Sequence, residues 1–371
     1  MRRRVDTAQE LTRFHYLARA VALACAGWIA ATPRLEDKAR LARIAWEQTL
    51  AGDAFRERVF ELRYPVRVLD EWSDSSFDSL VDRAGELPAA LAELHRRYEE
   101  FLAATDELDD GPTERIVRQA IADVATALPP VVPAGSPYAL PANPPVDDRY
   151  AHHTYYWPDT IVAGYPYGEG VALRVRSAVS HLNEVWAVNT AGAIMWALAP
   201  ELGWEWIRDA GRWTYDEARH MLMGKRRLDA WGLPAAKTPL GGYIYAAWAG
   251  ENALYGLGML GYFETKNIGR KKERARAFHE LGDTLSETDM EFDWADETLH
   301  AEYGRRWLKA LLTARGEDPE VWPQVLERCE TLVAEQLAQA TDEDRVAIVA
   351  CADELLAAAG VSKDENIPAP Y

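Results

Sequence analysis

"WTYDEARHMLMGKRRL", residues 213–228, and "FDWADETLHAEYGRRWL", residues 292–308, decide how this chain is read. Each has the apolar spacing of an amphipathic helix, yet each sets a glutamate three places before a histidine on the face that should be buried: Glu217 with His220, and Glu297 with His300. Such groups are costly to bury. Superposed, the two stretches share Asp-Glu-x-x-His-x-x-x-Gly, two basic residues and a leucine, at a constant offset of 80 (297 minus 217). With 33 glutamates and 8 histidines in 371 residues, chance supplies roughly 0.7 of one Glu-x-x-His. Two copies with shared flanks are a duplicated unit.

The unit extends further upstream. Glu184 lies 33 residues before Glu217, and Glu264 lies 33 before Glu297. Pro200 and Gly282 stand near the two midpoints, so antiparallel helices would return each acid opposite its partner motif, roughly 24 Å from the turn at ~1.5 Å per residue. Six side chains then converge: Glu184, Glu217, His220, Glu264, Glu297 and His300. Four carboxylates in a dry bundle repel one another unless cations share the site, and two divalent ions balance them. Oxygen-rich ligation with one imidazole per metal suits iron or manganese better than a closed structural zinc site. Two iron ions are the first expectation, with a manganese–iron pair as the alternative.

Through D-E-A-R-H (216–220) and D-E-T-L-H (296–300) the chain resembles the ferritin-like di-metal carboxylate proteins, and specifically the bacterial multicomponent monooxygenases. The resemblance is more distant to acyl-carrier-protein desaturases and to the radical-generating subunit of ribonucleotide reductase. It covers about 171–314. It implies a ferritin-like four-helix bundle, the same six residues as metal ligands and site of catalysis, and Asp216 and Asp296 as acceptors for the histidine ring N–H of the opposite helix. It also implies a di-iron oxidoreductase with dioxygen as co-substrate, acting on a small organic molecule by hydroxylation, N-oxygenation or desaturation. A reductase or ferredoxin would supply electrons. A ferroxidase or iron-handling protein is the alternative. The sequence departs from the monooxygenases at Leu299, where they carry arginine, and at Ile268, where they carry threonine.

The rest of the chain sets bounds. A net charge of -18 argues against nucleic acid and anionic membrane as partners. Cys25, Cys329 and Cys351 form no CxxC, which points to a reducing cytoplasm. "MRRR" followed by the apolar run 20–33 has the look of a secretory signal, but a buried helix is the simpler reading. The expected fold is all-α: an N-terminal helical domain over 1–127, a proline- and aromatic-rich linker over 128–170, the bundle over 171–315 and a helical tail over 316–371. Bundle helices are expected at about 171–198, 202–230, 241–280 and 284–314. The stretch 46–59 echoes the motif with Leu50 at the histidine position, which admits a degenerate copy in the N-terminal domain.

Smaller features complete the reading. Ala187, Val188, Ala191, Gly261 and Ile268 describe an apolar pocket beside the ligands. Trp186, Trp196, Trp213, Trp294 and Tyr303 read as packing, although Trp213 and Asp293 share the ligand face one turn before Glu217 and Glu297 and are expected at the edge of the site. The aromatic run His152 to Tyr167 reads as a packing arm, with a lid over the bundle as the alternative. "GRKKERAR" (269–276) reads as a solvated helix face, with a docking surface for a reductase as the alternative. The substrate, the reductant and the oligomeric state, a homodimer included, are left open.

Overall fold

The computed structural model describes residues 3–64, 69, 72–83, 85–127 and 141–361. The proline-rich stretch 128–140 and the polar end 362–371 lie outside the described residues. The fold is all-α, with two short strands, β1 (Ala151–His153) and β2 (Pro239–Gly241), paired in parallel. Among the described residues no helix is long and apolar enough to cross a membrane.

The N-terminal part begins with a long hairpin, α1 (Arg4–Ile29) and α2 (Leu35–Glu61), followed by α3 (Ser75–Val81), α4 (Leu87–Ala103) and α5 (Glu107–Ala127). The signal-like run lies in α1, where Val21, Cys25, Trp28 and Ile29 are fully buried. It is a core helix. The hairpin packs on α7 (Val185–Ala230) through close approaches: a Cβ on Gly52 would stand 2.7 Å from the Trp204 ring, and one on Gly211 would stand 2.8 Å from Thr49. One hydrophobic core therefore runs from α1 to the C-terminal half. Leu50 is exposed, and Glu47 is paired with Arg43.

The C-terminal half contains α6 (Gly170–Leu182), α7, α8 (Tyr243–Trp248), α9 (Ala253–Glu280) and α10 (Thr284–Ala314). α7 bends at Gly203, whose φ of 72° and ψ of -160° interrupt the helix three residues after Pro200. α9 ends at Gly282, with φ 66°, and Asp283 caps α10 by accepting from the Ser286 N–H at 3.1 Å. α11 (Trp322–Ala338) and α12 (Asp342–Ala358) follow, the latter opened by a Thr341–Asp344 capping box.

Two expected helices are each split. The helix expected over 171–198 stops at Asn183 and restarts after Glu184. The Asn183 side-chain amide donates to the Pro239 carbonyl at 2.9 Å and accepts from the Gly241 N–H at 2.8 Å, tying the break to β2. The helix expected over 241–280 is interrupted between α8 and α9, where Asn252 caps α9 and Glu251 is exposed. The Gly of each motif explains why it stands there. A Cβ on Gly224 would strike the α6 backbone at Ala178 O (2.5 Å) and His181 C (2.8 Å), and one on Gly304 would lie 2.9 Å from Gly261 Cα on α9. Each motif helix thus meets the neighbouring helix, α6 just before Glu184 and α9 just before Glu264, almost backbone to backbone.

Candidate metal centre

Four helical segments bring the six candidate ligands into one buried cluster. Glu184 comes from the α6/α7 break, Glu217 and His220 from the second part of α7, Glu264 from α9, and Glu297 and His300 from α10. His220 and His300 are fully buried; Glu217, Glu264 and Glu297 are nearly so. The Glu184 side chain keeps 16% of its surface exposed.

Glu217 stands between the two histidines. Its Oε2 is 3.7 Å from His220 Nδ1, and its Oε1 is 3.3 Å from His300 Nδ1. Glu184 Oε2 lies 3.5 Å from His220 Nδ1, and Glu264 Oε1 lies 3.5 Å from His300 Nδ1. Three groups that could hold a metal ion result among the described residues: Glu184–Glu217–His220 and Glu217–Glu264–His300, with Glu217 common to both, and His181–Glu184–Asp293. Glu297 belongs to none of them, its Oε1 being held by Lys271.

The far side of each imidazole fixes its tautomer. His220 Nε2 faces Asp296 Oδ2 at 3.3 Å, and His300 Nε2 faces Asp216 Oδ2 at 3.4 Å, each across to the opposite motif. A carboxylate only accepts, so Nε2 carries the proton and the Nδ1 lone pair turns inward. The two aspartates are neutralised by arginines of α7 alone: Arg212 reaches Asp216 at 2.5 Å and Asp296 at 3.1 Å, and Arg219 reaches them at 2.7 and 2.9 Å. This accounts for Leu299. No second arginine is needed at the repeated position.

Whether the cluster suits cations can be read from its unsatisfied atoms. Glu184 Oε2, Glu264 Oε2, Glu297 Oε2, His220 Nδ1 and His300 Nδ1 are buried and have no hydrogen-bond partner. The three glutamate oxygens are acceptors, and so are the two Nδ1 atoms while the imidazoles are neutral, so the cluster costs free energy unless protons or cations bring positive charge among them. The titration behaviour agrees. Burial pushes Glu184 up to about 8 despite Lys271, and pushes Glu264 up to about 7 with help from Glu217. Burial disfavours charge on His220 and His300, but the surrounding carboxylates outweigh it and raise both well above the usual histidine range. Protons are drawn to the places where divalent ions would sit.

Two residues of the cluster, Lys271 and His181, were missed from sequence, and Asp293, on the ligand face one turn before Glu297, proves to belong to it. Lys271, from the basic run read as a solvated face, is 3% exposed and donates to Glu297 Oε1, to Asp293 Oδ1 at 2.6 Å and to Glu184 Oε1 at 3.5 Å. It stands seven residues, two helical turns, after Glu264. That spacing was the available signal. Asp293 is fully buried and also accepts from His181 Nε2 at 2.8 Å, while Arg227 donates to His181 Nδ1 at 2.7 Å. Burial pulls His181 down to about 3, so it is neutral. Five carboxylates, four of them buried and Glu184 partly so, therefore face one ammonium.

Among the tryptophans, one reaches the site edge as its place on the ligand face suggested, and another departs from its expected role. The Trp213 indole N–H donates to Glu217 Oε1 at 3.0 Å and lies 3.4 Å from Glu264 Oε1, so it orients ligands as well as packing. Trp294 is 39% exposed under Lys272 instead of packed in the core. A cavity of about 390 Å³ opens beside Glu184, Glu217, Glu264 and Glu297. Of the small residues expected around it only Ala187 lines it; Tyr156, Tyr167, Tyr243, Arg270 and Arg274 supply much of its wall. The aromatic run 152–167 thus contributes both buried packing, at Tyr155 and Trp157, and one side of this cavity.

No family model, curated protein or solved structure matches the chain.

Proposed function

We propose that the chain is a ferritin-like di-metal oxidoreductase that holds two iron ions and uses dioxygen to oxidise a small organic substrate. The observation that carries this reading is the set of five unpartnered inward-facing ligand atoms on either side of a shared Glu217. Five carboxylates less one ammonium leave four negative charges, the number that two divalent cations neutralise. Oxygen and imidazole donors without thiolate favour iron or manganese.

Bound iron would supply the electrons that reduce dioxygen and would hold the oxidising equivalent near the substrate. The chain's own residues would do the rest. Asp216 and Asp296 hold each imidazole with Nδ1 inward. Trp213 fixes the shared carboxylate, and Lys271 holds Glu297 and Asp293 apart from the opposite face. The cavity brings an organic molecule alongside Glu184 and Glu264 while the aromatic wall limits water.

The alternative, a ferroxidase whose substrate is iron, is opposed by the cavity itself. Lys266, Arg270 and Arg274 line the approach to the glutamates and repel a ferrous ion. Aerobic loading with ferrous iron separates the two. A single oxidation of about two irons per chain, with further oxidation requiring reductant, is expected. Continuous conversion of excess iron into mineral would overturn the oxygenase reading, and a His300→Ala chain with undiminished iron would overturn the ligand assignment.

A further inference from the structure

The cavity beside the centre has an unusual electrostatic character for so acidic a chain. Acids outnumber bases by 59 to 41 overall, yet this wall carries Arg176, Lys266, Arg270 and Arg274 against one acid, Asp159, apart from Lys271 and the candidate ligands. Lys266 is 3.6 Å from Glu330, and Arg176 is bound to Asp159 at 3.0 Å. Arg270 and Arg274 have no carboxylate within ion-pair distance among the described residues. Cations left unpaired at a concave surface attract anions.

The anchoring of these groups is built. Arg176 is 5% exposed. Two of its nitrogens bond to Asp159, and the third, Nη1, has no partner. Its guanidinium lies 5.0 Å from the Tyr167 ring centroid, and Arg274 lies 5.2 Å from the same ring, so one tyrosine is shared by two guanidiniums. The Tyr167 hydroxyl is buried and unpartnered as well. A guanidinium and a phenol, each with an unused donor, match a carboxylate. Arg176 precedes Glu184 by eight residues, roughly 12 Å at ~1.5 Å per residue, so a molecule must have some length to reach from one to the other. Trp186, Phe263 and Ala187 offer the apolar surface for its body.

We propose that this cavity binds a small organic carboxylate. Its anionic end is held by Arg176, Arg274 and Arg270 beside Tyr167, and its apolar body extends toward Glu184 and Glu264. That the bound acid is the molecule oxidised rests on the function proposed above; the binding site does not.

The test is calorimetric titration of the purified full chain with hexanoate, decanoate and phenylacetate, with the matching primary amides and with inorganic phosphate, iron content being measured on the same samples. At least one acid is expected to bind about tenfold or more tightly than its amide, the worth of one charge-assisted hydrogen bond. Arg270→Gln/Arg274→Gln, at partly exposed positions, and Tyr167→Phe should each weaken the acid and leave the amide unchanged. Arg176→Gln should remove the discrimination; if it does not fold, Arg176→Lys serves, with an intermediate loss. Equal binding of acid and amide, no binding by any acid, acid affinity unaffected by the variants, or phosphate binding as tightly as the best acid would each overturn the proposal. Acid selectivity in a chain that holds no metal would leave this site standing and remove the redox reading. Bound metal without acid selectivity would do the reverse.

Discussion

Residues 181, 191, 213 and 227 are histidine, alanine, tryptophan and arginine; their counterparts 80 positions on are Gly261, Lys271, Asp293 and Trp307. The six candidate ligands and their two aspartates repeat faithfully between the halves, and so do the Arg–Asp anchors at the motif ends, with Arg227 replaced by Trp307 beside them. Arg226 and Arg227 lie against Asp289, while Arg306 and Trp307 donate to Asp209 at 2.9 and 3.1 Å. The positions just around the ligands do not repeat. On the His300 side an indole N–H meets the carboxylates. On the His220 side Asp293 lies 3.4 Å from the imidazole and is held by His181 and Lys271. The repeated positions are the candidate ligands and their acceptors, and the unrepeated ones make the surroundings of His220 and His300 inequivalent: the first is richer in charge, the second neutral at its rim.

The largest expected effect tests the shared ligand. Glu217→Ala should leave less than about one metal per chain, because it strips a ligand from both positions, whereas Glu184→Ala and Glu264→Ala should each impair one position and leave the other. Elemental analysis of the three variants checks this. Equal losses would erase the distinction between shared and unshared acids. Next comes the lysine that only one half possesses. Lys271→Met should destabilise the metal-free chain by about 3–5 kcal/mol, since it leaves buried acids without their cation. Denaturant unfolding after chelation reads that loss.

A smaller effect sharpens the comparison of the two glycines. Gly224→Ala drives a Cβ into the backbone of α6, while Gly304→Ala meets a single glycine Cα. The former should cost about 1–3 kcal/mol and the latter less, both read as falls in melting temperature. Smallest is Trp213→Phe, which keeps the ring and removes its N–H. It should cost about 0.5–1.5 kcal/mol while metal stays at both positions. A complete loss of one metal would show that the indole is required for ligation, beyond its orienting role.

The all-helical class, the turn near Pro200 and the approach of Glu184, Glu217, His220, Glu264 and His300 to one another were legible because they follow from local rules: helical spacing, turn residues and equal distance from a turn. What escaped depends on tertiary contacts. Nothing in "SHLNEVWAV" marks a helix break; Asn183 breaks it only because β2 offers a carbonyl and an N–H at the right place. Lys271 was hidden in a basic run whose other members are exposed or line the cavity, although its two-turn spacing from Glu264 was visible. Asp293 was seen to share the ligand face, but its role needed His181, 112 residues away in the chain. The pocket was expected to be apolar because only its nearest helical neighbours were considered, whereas the run 152–167 and the later turns of α9 supply its tyrosines and arginines.

The central claim is that two cations lie side by side on either edge of Glu217. Anomalous X-ray diffraction at the iron absorption edge from an iron-loaded crystal measures it most directly. The account predicts two peaks, one against His220 Nδ1 and Glu184 and one against His300 Nδ1 and Glu264, with Glu217 touching both. A single peak, or peaks away from these side chains with Lys271 left as the cluster's sole cation, would contradict it.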